Sequence, residues 1–169
     1  MQSGEQLTDR RIRAAHLAAH AVCAHLVGRA VMDMSLDAPN LQRPWEDTTP
    51  VAIRAGYRGE PGVQARVERG WLVGEGAIRA AGMAAEFLLT GDFQWESARK
   101  DLDALDRFAA HIHTGAATWS VEVFGIAVRR LRANRRALDA LTDALLDRGE
   151  LDAATARALL EEHCSERPG

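Results

Sequence analysis

The chain has 169 residues, 47% of them apolar and 27% charged, which suits a single domain over 1–169 with a real core. Its 21 Lys and Arg stand against 24 Asp and Glu, a formal charge of −3, so no general basic field is present to hold a phosphate backbone and nucleic acid is excluded as an expected partner. No apolar run approaches the ~20 residues of a bilayer span, the polar-then-basic start "MQSGEQLTDRRIR" is not a secretory leader, and Cys23 and Cys164 form neither a CxxC pair nor a disulfide framework; the expectation is a cytoplasmic chain with no membrane partner.

The first predicted helix starts near Thr8 or Asp9, either of which can accept a hydrogen bond from a first-turn amide, and stops at Gly28. "AVMDMSLDA", residues 30–38, alternates imperfectly between Gly28 and Pro39 and predicts a short edge strand. Residues 39–62 hold four of the five prolines and predict an irregular segment, with a strand at "VAIRAGY" and the character of a cleft rim. Helix returns over 63–89, where Gly70, Gly74, Gly76 and Gly82 each cost up to ~1 kcal/mol relative to alanine and mark either close helix contact or a break.

A further helix is expected over 97–111, with Leu102, Leu105, Phe108 and Ala109 on one stripe and Asp101 in its first turn. One long helical stretch follows over 117–148, closed by Gly149, and Asp152 caps a last helix ending near Glu162. Trp45, Trp71, Trp95 and Trp119 are read mostly as core. The fold class is therefore mainly α, a helical bundle with one or two small edge strands.

In "RAAHLAAHAV", His16 and His20 are four apart and share a helix face, so they can offer two imidazole nitrogens to one metal ion. The spacing permits a metal site without diagnosing one. A third ligand must come from elsewhere, and Asp101, Glu86, His111 and His113 are the candidates that the residues alone leave unranked. Cys23 and His25 are not taken as ligands. The plain alternative is two histidines buried, metal-free, in an alanine-rich helix of a structural protein.

Five landmarks, in order over about residues 12–160, carry a resemblance to a known family. "AAHLAAHAVCAHLVG" resembles the HEAGHAVVAHLLG-like zinc helix of the FtsH family of AAA+ zinc proteases, and "RAVMDMSLDAPN" the strand after it. "IRAAGMAAEFLLTGD" resembles that family's glycine-then-AAE segment, "SARKDLDALDRFA" its GASNDLxxAT helix, and "RANRRALDALTDALLDRGELD" its late NRxxLDxLAxxLLExETLD helix pair. The resemblance implies an FtsH-like peptidase fold, zinc as cofactor with another divalent metal as the alternative, and His16, His20 and Asp101 as the ligands. It also implies a homo-oligomer. The family's ATPase module and membrane anchor have no counterpart in this chain, so any unfolding motor is expected to be a separate partner.

Two departures bear on the chemistry. The family's general base is the glutamate after the first histidine, and here that position is Leu17, which cannot accept a proton. Ala19 stands where the family has glycine. General acid–base catalysis contributes typically ~10²–10⁴-fold, so without it proteolysis should be feeble unless another acid, with Glu86 the candidate, has moved in. The leading expectation is a degenerate, non-proteolytic metallopeptidase domain that binds zinc and a peptide or protein ligand, as a binding or regulatory module. The alternative is a metal-dependent enzyme, with residual peptidase or small-molecule chemistry, that uses the ion as a Lewis acid.

Overall fold

The computed structural model describes residues 4–37, 44–45, 61–93, 95–112 and 116–165. In chain order these form α1 (Gly4–Leu26), β1 (Met34–Ser35), α2 (Pro61–Thr90), α3 (Trp95–Ile112), α4 (Ala116–Ala133), α5 (Arg135–Arg148), β2 (Glu150–Leu151) and α6 (Ala153–His163). The protein is mainly helical, and the expected strand at "VAIRAGY" lies outside the described residues.

Helix α1 is the central element. It packs against α2 and α5, touches α4 and α6, and is buried at every position from Ala14 to Ala24. Its alanines make this geometry feasible, because small side chains bring neighbouring helix axes close on all sides instead of along one stripe. It begins at Gly4, a turn before the expected Thr8 or Asp9. The residues ahead of those two, Glu5, Gln6 and Leu7, are strong helix formers, and propensity extends the helix past the capping candidates. Its other end is as expected: Gly28 takes φ 74°, and the Arg29 amide returns to the Ala24 carbonyl at 2.9 Å.

Helix α2 runs unbroken through all four glycines and starts at Pro61, two residues inside the segment expected to be irregular, because proline suits a first helical turn. Two of its glycines are points of close approach. A Cβ at Gly76 would stand 2.7 Å from the Trp119 ring and 2.8 Å from Val123, so α4 can sit against α2 only because that atom is missing. Gly82 plays the same part toward α1. Gly70 has nothing within 4 Å, and no packing reason for that glycine is visible.

The expected single helix over 117–148 is two helices, α4 and α5, divided at Asn134. Asn134 is fully buried with φ −113° and ψ 35°. Its side-chain amide donates to the Arg130 carbonyl at 2.9 Å, and its Oδ1 accepts from the Ser165 amide at 2.9 Å. Side-chain bonding to nearby backbone competes with helix continuation, and here it also ties the chain after α6 to the α4–α5 corner. Leu138, Leu141 and Leu145 of α5 then face α1 and the core, and Gly149 closes the helix at φ 78°.

The small sheet pairs β1 with β2 antiparallel, Met34 opposite Leu151 and Ser35 opposite Glu150. β1 is the strand expected within 30–38. β2 was not expected, since two residues between a helix-closing glycine and a capping aspartate carry no alternation to detect. A lone bridge between Val31 and Trp45 brings Trp45 back to the bundle. Asp152 caps α6 through Thr155 as expected, and Asp33 adds a second carboxylate there, accepting from the Ala153 amide at 2.7 Å. Among the described residues, no helix is long and apolar enough to cross a membrane.

Asn134→Ala removes both side-chain bonds at the α4–α5 corner and is expected to cost about 1–3 kcal/mol, read as a lowered urea midpoint at unchanged m-value.

Candidate metal centre

The centre lies where α1 crosses α2 and α3 approaches them. His16 and His20 come from α1, one turn apart, and are 3% and 5% exposed. Each ring is fixed from behind. His20 Nδ1 stands 2.6 Å from the Ile78 carbonyl, which can only accept, so this nitrogen carries the hydrogen and Nε2 the lone pair. His16 Nδ1 stands 2.6 Å from Glu86 Oε1 and donates to it. A carboxylate behind an imidazole sets ring orientation and raises the basicity of the opposite nitrogen.

The free edges of both rings converge, with His16 Nε2 and His20 Nε2 3.0 Å apart. Asp101 reaches them from α3, its Oδ2 3.6 Å from His16 Nε2. One ligand atom from each of the three lies within 4.8 Å of the others. Oxygen and nitrogen ligands at about 2.0–2.2 Å from a tetrahedral zinc ion stand roughly 3.3 Å apart, which these separations bracket.

Proton counting makes the stronger case. A proton on one imidazole can bridge the two Nε2 atoms. Asp101 Oδ2, however, is buried and has no hydrogen-bond partner among the described residues. Three acceptor atoms face one point with too few donors, and a divalent cation satisfies all of them. His16, His20 and Asp101 can therefore hold a metal ion.

Electrostatics point the same way. Burial, reinforced by neighbouring His16, lowers the His20 pKa to about 3, so its lone pair stays available. Burial pushes Asp101 up to about 6; His16 opposes the shift, Glu86 adds to it and Arg79 opposes it. A positive charge at the focus would oppose the effect of burial and favour the ionised carboxylate.

Asp101 is the seventh residue of α3 and not in its first turn, because the helix starts at Trp95. Its placement there owes nothing to the helix end. Of the other candidate ligands, Glu86 meets His16 at Nδ1, the ring nitrogen facing away from the focus, and so serves the imidazole from behind. The His111 side chain and His113 lie outside the described residues. Leu17 is 3% exposed and part of the apolar core. Cys23 is buried, its thiol pushed up to about 12 chiefly by burial, which makes it an inert core residue.

Three contributors were not legible beforehand. Gly82 faces the His16 ring so closely that a Cβ there would overlap it. Trp45 lies over His20 with ring centroids 5.1 Å apart, tilted by 32°. Arg79, 8% exposed, acts electrostatically on both His20 and Asp101. Only Gly82 left a signal, four residues before Glu86 and so on the same helix face. Trp45 and Trp119 are core as expected and Trp71 is half-buried, whereas Trp95 is 71% exposed.

No protein-family model matches the chain, and no curated protein matches it.

Gly82→Ala drives a methyl into the His16 ring and is expected to weaken divalent-metal binding by about 10–100-fold, measured by competition with a chromophoric chelator. Proton competition gives a second test. Asp101 must shed its proton to become a ligand, so metal affinity should fall by up to about tenfold per pH unit below about pH 6 and lose that inflection in Asp101→Asn.

Proposed function

We propose that the protein is a zinc-binding domain of the FtsH-peptidase type that lacks the hydrolytic base and works as a non-proteolytic binding or regulatory module for a peptide or protein ligand. One observation supports this reading: His16 Nε2, His20 Nε2 and Asp101 Oδ2, from the three residues that the resemblance implies as ligands, converge, while the position of the base is the buried, apolar Leu17. Another divalent ion is the alternative occupant, since imidazole and carboxylate ligands suit several.

In this reading His16, His20 and Asp101 hold the ion, Glu86 and the Ile78 carbonyl fix the two rings, and Gly82 leaves room for the first of them. A bound zinc ion supplies Lewis acidity at its position not filled by protein. Hydrolysis further needs a proton acceptor within hydrogen-bond reach of the attacking water. Glu86, the candidate replacement, is committed to His16 Nδ1, and Leu17 offers no acceptor. Exposed Trp95 and Val121 offer apolar surface for the self-association that the resemblance implies.

A second reading, a metal-dependent enzyme of another class, draws on Arg79. Arg79, nearly buried and paired with Glu75 at 2.8 Å, acts electrostatically on Asp101 and His20, and a cation so placed favours negative charge that develops at the centre. Turnover abolished alike by His16→Ala, His20→Ala and Asp101→Ala would favour it.

The deciding experiment joins metal analysis of the purified protein to a peptidase assay on wild type and Leu17→Glu. About one zinc per chain, negligible wild-type cleavage and a gain of at least about 10²-fold in Leu17→Glu are expected. Absence of bound metal from both forms would overturn the site, and efficient cleavage by wild type would overturn the missing base.

A further inference from the structure

Away from the metal centre, the turn after α1, the middle of α2 and the end of α4 enclose an open cavity of about 530 Å³. Its walls include Val27, Arg29, Trp71, Val73, Gly74 and Arg130, and none of His16, His20 or Asp101. The apolar wall is continuous with the core, because Val27 and Trp71 both pack against it. Among the described residues, the polar wall is cationic, made by Arg29 and Arg130.

Among the described residues, the charges there do not balance. Arg29 Nη1 lies 3.3 Å from Glu75 Oε2, and Arg79 Nη2 holds Glu75 Oε1 at 2.8 Å, so one buried carboxylate serves two guanidiniums. The Arg29–Glu75 contact misses hydrogen-bond geometry, and Arg29 Nη1 remains buried without an acceptor among the described residues. Arg130 Nη1 is in the same condition, with no described acid bridged to it. Arg29 is also set over the face of Trp71, its guanidinium carbon 5.6 Å from the ring centroid.

Buried N–H groups without acceptors are costly, and guanidinium groups are the most demanding, because their planar fork matches two oxygens at once. An oxyanion entering the cavity meets the Arg29 and Arg130 side chains that line it, and a turn of either guanidinium brings its buried Nη1 onto that acceptor. Its apolar remainder would find an indole ring and two valines, the usual composition of a small-molecule site: few polar groups on a mostly apolar wall.

We propose that this cavity binds a small organic anion, its carboxylate or phosphate head between Arg29 and Arg130 and its apolar body along Trp71, Val27 and Val73. Neutral molecules of the same shape leave the guanidiniums unsatisfied and are rejected. The cavity shares no lining residue with the metal centre, so the proposal stands or falls apart from the proposed function.

The test is calorimetric titration of the full chain with benzoate, phenyl phosphate and the neutral isostere benzamide, with amide NMR to locate the perturbation. One saturable site is expected for at least one anion, with shifts at residues 27–29, 70–74 and 130, and the preferred anion identifies the head group. Arg130→Gln should weaken binding by at least about tenfold, and benzamide should not bind. Val73→Glu, which places a carboxylate in the wall, should abolish anion binding even if Arg130→Gln fails to fold. Saturation by neither anion, equal binding of benzamide, or full affinity in folded Arg130→Gln or in Val73→Glu would overturn the proposal.

Discussion

Helix α1 has no solvent-facing side between Ala14 and Ala24, and the rest of the structure is arranged around that constraint. A helix enclosed on all sides needs small residues wherever a neighbour crosses it, which the alanines provide. It also needs an internal partner for every polar atom it carries inward. His16 and His20 are its two polar residues in that stretch, and α2 answers both, with Glu86 for one and the Ile78 carbonyl for the other. The same contacts that make burial tolerable turn both Nε2 atoms toward α3. Two satisfied rings thereby leave an unsatisfied focus between them.

α2 is specialised for this task over a short length. Ile78, Gly82 and Glu86 are spaced by four and share one face, so a carbonyl, a missing side chain and a carboxylate follow one another along the line where α1 lies. Arg79 and Glu75 form a second, charged layer of the same helix, nearly buried and joined at 2.8 Å. Breaking such a pair strands a charge inside the protein, so these residues fix where α2 can sit even if their net contribution to stability is small.

What sequence made legible was whatever local chemistry determines. Gly28, Gly149 and Asp152 mark helix ends because backbone and capping preferences act within a few residues. The histidine pair was legible as a face, and the landmarks in order selected Asp101 from four candidate ligands. Contacts between distant segments were not legible. Asn134 divides a helix because its side chain finds the Ser165 amide, a partner far along the chain. β2 exists because β1 arrives beside it, and Trp45 covers His20 from a segment whose composition spoke only of irregularity. Gly82 was open to two readings, a weak point in a helix or a place for another to fit; only the position of the His16 ring separates them.

The division of the ligand set between helices has a further consequence. His16 and His20 are rigidly tied to each other through α1, whereas Asp101 belongs to α3, which reaches the focus by its own packing on α2 and α4. An ion shared by the three is thus a cross-link between the first and third helices, comparable in effect to a reversible disulfide that chelators open. Because such an ion binds the assembled ligands far better than the unfolded chain, it couples the docking of α3 to global folding. Metal supply would then set how firmly the third helix is held as well as how the centre is occupied.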